Sequence, residues 1–422
     1  MNGWSLKTEW SNADKEALTF GEEDSLCECF IETEQGLLVP RGYEGFGYTD
    51  TSVSIGGELR VLNPISLREE QVPAVQAMMD TLTKPGLGAI LFAPCGKGKT
   101  VMGLEIIRRL GRKALVLVHK SFLVDQWVER ANTFLPEAKV GLWKRDTIPT
   151  GDEDIVIGMV QSIVNPKREY PKKIYDMFGT LVADETHRYA APMWQASISN
   201  FSAGYRIGLT ATPERKDKLH HVFYSHIGPI AYFMEGHKRL PLIWRIDTDT
   251  MFPERSYLLY NGDVNTSKLV TMISKEEDRT DRIVAFAVRA LKKGRKVLIL
   301  SERVAHTKEM KNLLETTVSG EFDCSLYIGG MKQAQRDRAS GADIICGTYA
   351  MAQEGLDIPA LDTLILATPK TSITQSVGRI LRDSPDKKDP VVVDFVDSEI
   401  PILMAYWYSR RKTYNNLGYD FL

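Results

Sequence analysis

Ala93-Pro94-Cys95-Gly96-Lys97-Gly98-Lys99-Thr100 has the residue types and spacing of a phosphate cradle. It follows the pattern GxxxxGK[ST], except that Ala93 stands where the pattern has its first glycine. An apolar run, GAILF, precedes it and a helical-period run, VMGLEIIRRL, follows, which is the strand–loop–helix setting the pattern needs. Gly96 and Gly98 let the backbone curl so that amide N–H groups converge on phosphate oxygens. The start of the following helix adds its partial positive charge. In this frame Lys99 reaches the β- and γ-phosphates and the Thr100 hydroxyl ligates Mg²⁺. A bare GKT is also compatible with a Gly/Lys-rich surface loop, and the flanking strand and helix argue against that.

A nucleotide site of this kind needs a carboxylate on a neighbouring strand. GTLVADETH supplies two, Asp184 and Glu185, at the end of an apolar run, where open α/β sheets hold their ligands. Asp184 is expected to hold Mg²⁺ through water. Glu185 is expected to orient and deprotonate the attacking water, as a general base within reach of the γ-phosphate must. An Asp-Glu pair at a strand end is common by itself and gains meaning from the cradle upstream.

These groups need rigid elements to bring them together. Between residues 65 and 235, apolar runs alternate with helical-period segments: 88–94, 114–119, 154–160, 179–185 and 205–212. Each run is apolar on both faces, as a buried parallel strand should be. A second series covers 296–302, 324–330, 342–349, 363–369 and 391–397, with helical segments between, for example 303–317. The fold class expected is α/β: two tandem parallel-sheet lobes forming a cleft, preceded by a small β-rich N-terminal domain. The expected domains are an acidic accessory domain over 1–62, a first lobe over 63–235, a connecting segment over 236–275 and a second lobe over 276–422. The 422 residues, 43% hydrophobic and 26% charged, suit such a multi-domain globular chain and exclude a disordered or collagen-like one. No apolar run is long enough for a membrane-spanning helix, and MNGWSLKTEW lacks the pattern of a secretory signal. Cys27 and Cys29 form a CxC without a second pair or nearby histidines, so no zinc site is expected. The scattered odd cysteines fit a reducing compartment.

At Asp184-Glu185-Thr186-His187 the chain resembles a DExH-type superfamily 2 helicase, and the likeness runs from Leu67 to about Arg382 in the order of that family's motifs. Leu67-Arg68-Glu69-Glu70-Gln71 resembles the adenine-recognition segment. Gln71 offers a donor and an acceptor to the adenine edge, and Arg68 can stack on the base. Gly208-Leu209-Thr210-Ala211-Thr212-Pro213 resembles motif III, which implies that Thr210 and Thr212 couple the nucleotide site, through His187, to the nucleic-acid groove. The following Glu214-Arg215-Lys216-Asp217 extends the match to double-stranded DNA translocases of this superfamily. In the second lobe, Gly347-Thr348 and Gln353-Glu354-Gly355-Leu356-Asp357 resemble motif V, which implies that Gly355 and Asp357 approach the nucleotide. Gln375-Ser376-Val377-Gly378-Arg379-Ile380-Leu381-Arg382 matches motif VI, with Gln375 as a coupling residue. Arg379 and Arg382, three apart on one helix face, are the arginine-finger candidates. Candidate strand contacts are His119, Lys120, Ser121, Gln161 and Ser162 in the first lobe, and Ser301, Arg303 and Thr348 in the second. Such backbone contacts read no base sequence.

The compact spacing resembles the group of XPB-type helicases and phage UvsW-type branch-migration proteins. Gly36-Leu37-Leu38-Val39-Pro40-Arg41-Gly42-Tyr43 looks like an element that precedes the motor in small viral members. The resemblance implies an ATP- and Mg²⁺-dependent DNA helicase or translocase acting on forked or branched DNA, as a monomer, in the cytoplasm of a phage- or virus-infected host. Two other readings stay open: an RNA helicase or transcript-release factor, and a nucleic-acid-stimulated ATPase serving as a subunit or scaffold. The net charge of −2 excludes only a uniformly basic protein. Residues 1–62 carry 4 basic and 12 acidic residues, a net of −8, and the remaining 360 carry +6. Charge alone thus points to an acidic front segment against a mildly basic motor.

Overall fold

Short runs of β-branched residues and leucine, apolar on both faces, can be buried only in the middle of a layered sheet, and the chain uses them so. In this computed structural model the chain is described except for residues 1–3, 21–25, 42–52, 62, 95, 188–191, 212–217, 236–239, 357, 382–383 and 385–386. It divides into two units, 1–236 and 237–422.

The first unit is built on a seven-stranded sheet with the order Ile230–Phe233, Gly88–Phe92, Tyr205–Thr210, Thr180–Asp184, Ala114–Val118, Ile155–Met159 and Val140–Trp143, paired in parallel throughout. All five expected runs are strands. The two added strands, Ile230–Phe233 and Val140–Trp143, are the sheet edges, four residues each and only partly buried. Their sequences, VGLW and IAYF, are apolar but too short to be told from other short apolar runs by periodicity. Side chains alternate across the sheet. Ala89 and Leu91 join the core beneath helices Val72–Thr81 and Lys99–Leu110, whereas Ile90 joins the opposite core with Ile227 and Phe223.

The front segment forms an antiparallel three-stranded sheet, Trp4–Lys7, Gly36–Pro40 and Ile31–Thr33, plus a two-stranded piece, Thr19–Phe20 with Cys27–Glu28. Leu18, Cys27, Cys29, Leu37 and Val39 share a core with Ile90, Leu115 and Leu117 of the large sheet. Arg41, at the end of the Gly36–Pro40 strand, is buried and donates to the carbonyls of Ser202 (3.3 Å), Ala203 (3.0 Å) and Gly204 (3.4 Å), just ahead of strand Tyr205–Thr210. Gly42 and Tyr43, which complete the viral-type element, lie outside the described residues.

The second unit repeats the architecture with the order Cys324–Tyr327, Ile344–Thr348, Val297–Ser301, Thr363–Leu366, Val391–Asp397, Leu242–Thr248 and Asp420–Phe421, again parallel. The stretch 236–275, expected as a connector, contributes strand Leu242–Thr248 and helix Thr266–Ile273. Its strand, LIWRIDT, mixes charge with apolar residues because it lies near the sheet edge, paired on its far side only to the two-residue strand Asp420–Phe421. The aromatic and basic stretch 406–412 lies in helix Pro401–Asn416, where Trp407 and Arg410 are buried against the sheet. No helix among the described residues is long and apolar enough to cross a membrane.

Candidate nucleotide and nucleic-acid site

The strand order of the first unit collects the chemistry. Gly88–Phe92, Tyr205–Thr210 and Thr180–Asp184 are adjacent, with Phe92 opposite Thr210 and Leu209 opposite Asp184. The phosphate loop, motif III and the acidic pair therefore leave the same sheet end from neighbouring strands, although 117 positions separate Ala93 from Thr210.

Ala93 is not in a left-handed conformation; its N–H continues the ladder to the Thr210 carbonyl at 2.9 Å. An alanine therefore serves where the pattern has glycine. The two remaining glycines carry the curl, with φ of 87° at Gly96 and 82° at Gly98. A Cβ at Gly98 would come within 2.4 Å of the Gln71 amide nitrogen, so that position excludes larger residues. Helix Lys99–Leu110 starts immediately after Gly98. Lys99 Nζ donates to the Ala93 carbonyl at 3.0 Å, across the mouth of the loop. Thr100 follows it on the first helical turn, and Pro94 is half-buried. Cys95 lies outside the described residues.

Lys97 is buried and its ammonium pairs with Glu70 at 2.6 Å, which ties the loop to the segment preceding helix Val72–Thr81. Gln71 is buried beneath the loop. Its amide nitrogen donates to the Lys97 carbonyl at 2.8 Å, and its amide oxygen accepts from the Arg68 N–H at 2.9 Å. Arg68 approaches the Gly96 carbonyl at 3.4 Å and Glu70 at 3.4 Å. Both residues assigned to adenine thus brace the phosphate loop itself.

Asp184 is buried. Its Oδ1 accepts from the Glu185 N–H at 3.0 Å and its Oδ2 from the Trp127 indole at 2.9 Å. Burial, with the neighbouring Glu185 charge, pushes its carboxyl up to about 6, while Lys99 and the indole act in the other direction. Glu185 holds a left-handed backbone, φ 53°, unusual for a residue with a side chain and a common mark of functional sites. His187 Nδ1 lies 3.2 Å from Thr210 Oγ1 and 3.5 Å from Glu185 Oε2. The link expected between the acidic segment and motif III therefore exists at Thr210. Thr212 lies outside the described residues. These features fit a nucleotide–metal complex: a loop curled at two left-handed glycines, a helix start, a lysine, and a hydroxyl and a buried carboxylate of the oxygen type that hard divalent cations take.

Among the strand-contact candidates, His119 is buried and its carbonyl accepts from the Gln161 amide at 2.8 Å, joining two strand ends. Lys120 caps helix Ser121–Phe134, and Ser121, at its first position, is exposed. Ser162 is buried and its hydroxyl accepts from the Arg145 N–H at 2.9 Å. In the second unit Ser301 has no exposed surface and its hydroxyl lies 3.1 Å from His306 Nδ1. Arg303 is held by Thr271 Oγ1 (2.9 Å) and the Ser267 carbonyl (2.7 Å). Thr348 caps helix Tyr349–Gly355, which ends at Gly355. Ser162 and Ser301 thus hold backbone and side chains in place, and His119 and Thr348 are buried as well. Arg379 donates to the Leu356 carbonyl at 3.0 Å, tying motif VI to motif V. Asp357, Arg382 and the side chain of Gln375 lie outside the described residues.

Two groups of the site escaped the sequence reading, Trp127 and Glu70. Neither carries a local signal: both interactions join residues 27 or more positions apart.

Residues 64–215 match the family model described as type III restriction enzyme, res subunit, and residues 278–384 match the helicase conserved C-terminal domain. The chain is 32% identical over 357 residues to L396 of Acanthamoeba polyphaga mimivirus, described as a candidate ATP-dependent RNA helicase, covering 82% of this chain and 68% of that protein. It is 28% identical over 370 residues to the candidate helicase 055L of Frog virus 3, covering 86% of this chain and 80% of that one. In fold it is similar to S. cerevisiae Dbp5 bound to RNA and ADP BeF3, with a TM-score of 0.54 and 14% identity, covering 82% of this chain and 92% of the other. With tandem RecA-like sheets, both helicase family models in order and a viral relative aligned over most of its length, the chain belongs to the superfamily 2 helicases, enzymes that couple ATP hydrolysis to work on nucleic acid.

Proposed function

We propose that this helicase is an ATP- and Mg²⁺-dependent DNA translocase that unwinds or migrates forked and branched DNA. The observation that supports DNA is the match of residues 64–215 to a restriction-enzyme subunit, a class that acts on DNA. In this reading the loop amides from Gly96 to Lys99 and the Lys99 ammonium bind the β- and γ-phosphates. Thr100 and Asp184 hold the metal, which when bound neutralises charge on the phosphate oxygens. Glu185 orients the attacking water and takes its proton. Arg68 and Gln71 brace the loop and leave one amide hydrogen and one lone pair of Gln71 for adenine. In the second unit Arg379 and Arg382, with Gly355 and Asp357, are the candidates for stabilising charge that develops in the transition state. His187 and Thr210 pass the state of the γ-phosphate to the strand-binding residues, with Gln375 in the corresponding role in the second unit. Lys120, Ser121 and Arg303 grip the nucleic-acid backbone, so the grip is indifferent to base sequence. Residues 1–62 serve as an acidic accessory segment.

A second reading, an RNA helicase, is favoured by the description of the mimivirus relative. One titration separates the two. The ATPase rate is followed against forked DNA, a four-way junction and poly(A) RNA at the same salt. The DNA reading expects the branched DNAs to stimulate most, and a greater stimulation by poly(A) RNA overturns it in favour of the second.

A further inference from the structure

We propose that Trp127 is a positioning residue for Asp184, its indole N–H fixing the carboxylate in the orientation that metal binding requires. The inference rests on the reading of Asp184 as the metal-holding carboxylate. Trp127 lies on helix Ser121–Phe134 and has no exposed surface. Its Nε1–H donates to Asp184 Oδ2 at 2.9 Å across 57 positions of sequence. This is more than routine satisfaction of a buried donor. Trp143 and Trp407 also bury their indole nitrogens, and neither has a hydrogen-bond acceptor among the described residues. The fold therefore accepts orphaned indole N–H groups elsewhere and directs this one to a carboxylate.

The ring is wedged among the elements that carry the nucleotide motifs. A Cβ at Gly103, one turn into the helix that starts at Lys99, would meet Trp127 Cη2 at 3.1 Å and Leu209 Cδ1 at 2.9 Å. A glycine there makes room for the indole between the phosphate-loop helix and strand Tyr205–Thr210. With Oδ2 held by Trp127 and Oδ1 by the Glu185 N–H, rotation of the Asp184 carboxylate is blocked at both oxygens. The outward lone pairs are left in one orientation, and pre-orientation of this kind raises metal affinity without adding a ligand. The same N–H bond from Glu185 couples the carboxylate to the left-handed backbone that aims the general base.

The test separates the hydrogen bond from the packing. Trp127→Phe removes the N–H and part of the volume. Replacement of Trp127 by 3-benzothienylalanine removes the N–H and keeps the bicyclic shape. Binding of a fluorescent ADP analogue to the full chain is measured with EDTA and across a Mg²⁺ titration. We expect the EDTA affinity to stay within about twofold of wild type while the Mg²⁺ concentration for half-maximal tightening rises about tenfold, the size of losing one hydrogen bond to a charged group. Should Trp127→Phe fail to fold, the isosteric variant decides. A wild-type Mg²⁺ titration in that variant overturns the proposal. Asp184→Asn is the control for the underlying reading. If it abolishes the Mg²⁺ effect while the isosteric variant keeps it, only the role of Trp127 falls. If Asp184→Asn itself titrates like wild type, the metal assignment and the role of Trp127 both fall.

Discussion

At the scale of single residues, the nucleotide site combines groups that each have a separable role. In the proposed mechanism Lys99 and Asp184 serve binding, and Glu185 serves proton transfer from water. Glu185→Gln keeps the shape and hydrogen-bonding reach of the side chain but not its basicity. It should therefore bind a fluorescent ATP analogue like wild type while kcat falls by about 10²–10⁴. Lys99→Ala should instead lose nucleotide affinity. Arg379→Ala should leave binding within a small factor and reduce hydrolysis by about 10³ or more, as loss of an arginine finger does. A steady-state ATPase assay paired with equilibrium nucleotide binding checks all three, and wild-type turnover in Arg379→Ala would remove Arg379 from the reaction.

At the scale of elements, the second sheet is clamped by two buried ion pairs on opposite faces of one strand. Val391–Asp397 presents Asp394 to one face and Asp397 to the other. Arg410, from helix Pro401–Asn416, reaches Asp394 at 2.8 Å, and the Tyr414 hydroxyl donates to the same carboxylate at 3.0 Å. Arg279, from helix Glu277–Lys292, reaches Asp397 at 3.0 Å, and the Thr248 hydroxyl donates to it at 2.7 Å. All four charged groups are buried, so removal of one partner strands the other charge in a low dielectric. Asp394→Asn should cost about 3–5 kcal/mol of unfolding free energy, whereas the double change Arg410→Met with Asp394→Leu should cost much less. Urea denaturation followed by circular dichroism measures both. Equal losses in the single and double variants would mean that packing rather than charge holds this helix. In the aromatic and basic stretch 406–412, Trp407 and Arg410 face the core, whereas Tyr408, Arg411 and Lys412 are exposed.

At the scale of the whole molecule, stability carries a pH dependence from buried histidines in both units. Burial, with the nearby Arg206, holds His226 down to about 3; burial, with Arg279, holds His306 down to about 4. Both folded values lie below the ordinary histidine value of 6.5, so between pH 6.5 and 4 the unfolded chain binds more protons than the folded one. Their stabilising contribution is complete above pH 6.5 and is lost as pH falls through that window. Thermal melts should therefore show a falling melting temperature from pH 6.5 to 4, and His306→Gln should flatten the slope there. A slope identical to wild type in that variant would assign the acid sensitivity to other groups. Each unit has its own cores: the clusters around Leu91 and Ile90 in the first share no residue with those around Leu298 and Ile299 in the second.

Much of this design is legible in the amino-acid sequence alone, because its signals are local. The phosphate loop, the Asp184-Glu185 pair and the motif order depend on neighbours within a few positions, and nine interior strands announce themselves as apolar runs; a tenth run, Cys324–Tyr327, is a sheet edge. What depends on distant partners is decided only in three dimensions. The edge strand Ile230–Phe233 gains its identity from pairing with Gly88–Phe92, 140 positions away in the chain. Arg68 and Gln71 become braces of the loop, Ser162 and Ser301 become internal supports, and Trp127 reaches Asp184, because folding brings their partners within hydrogen-bond distance. Hydrogen bonds and burial reward proximity in space, and the strand order that creates that proximity is set by long-range sheet pairing, which no local pattern of residue types encodes.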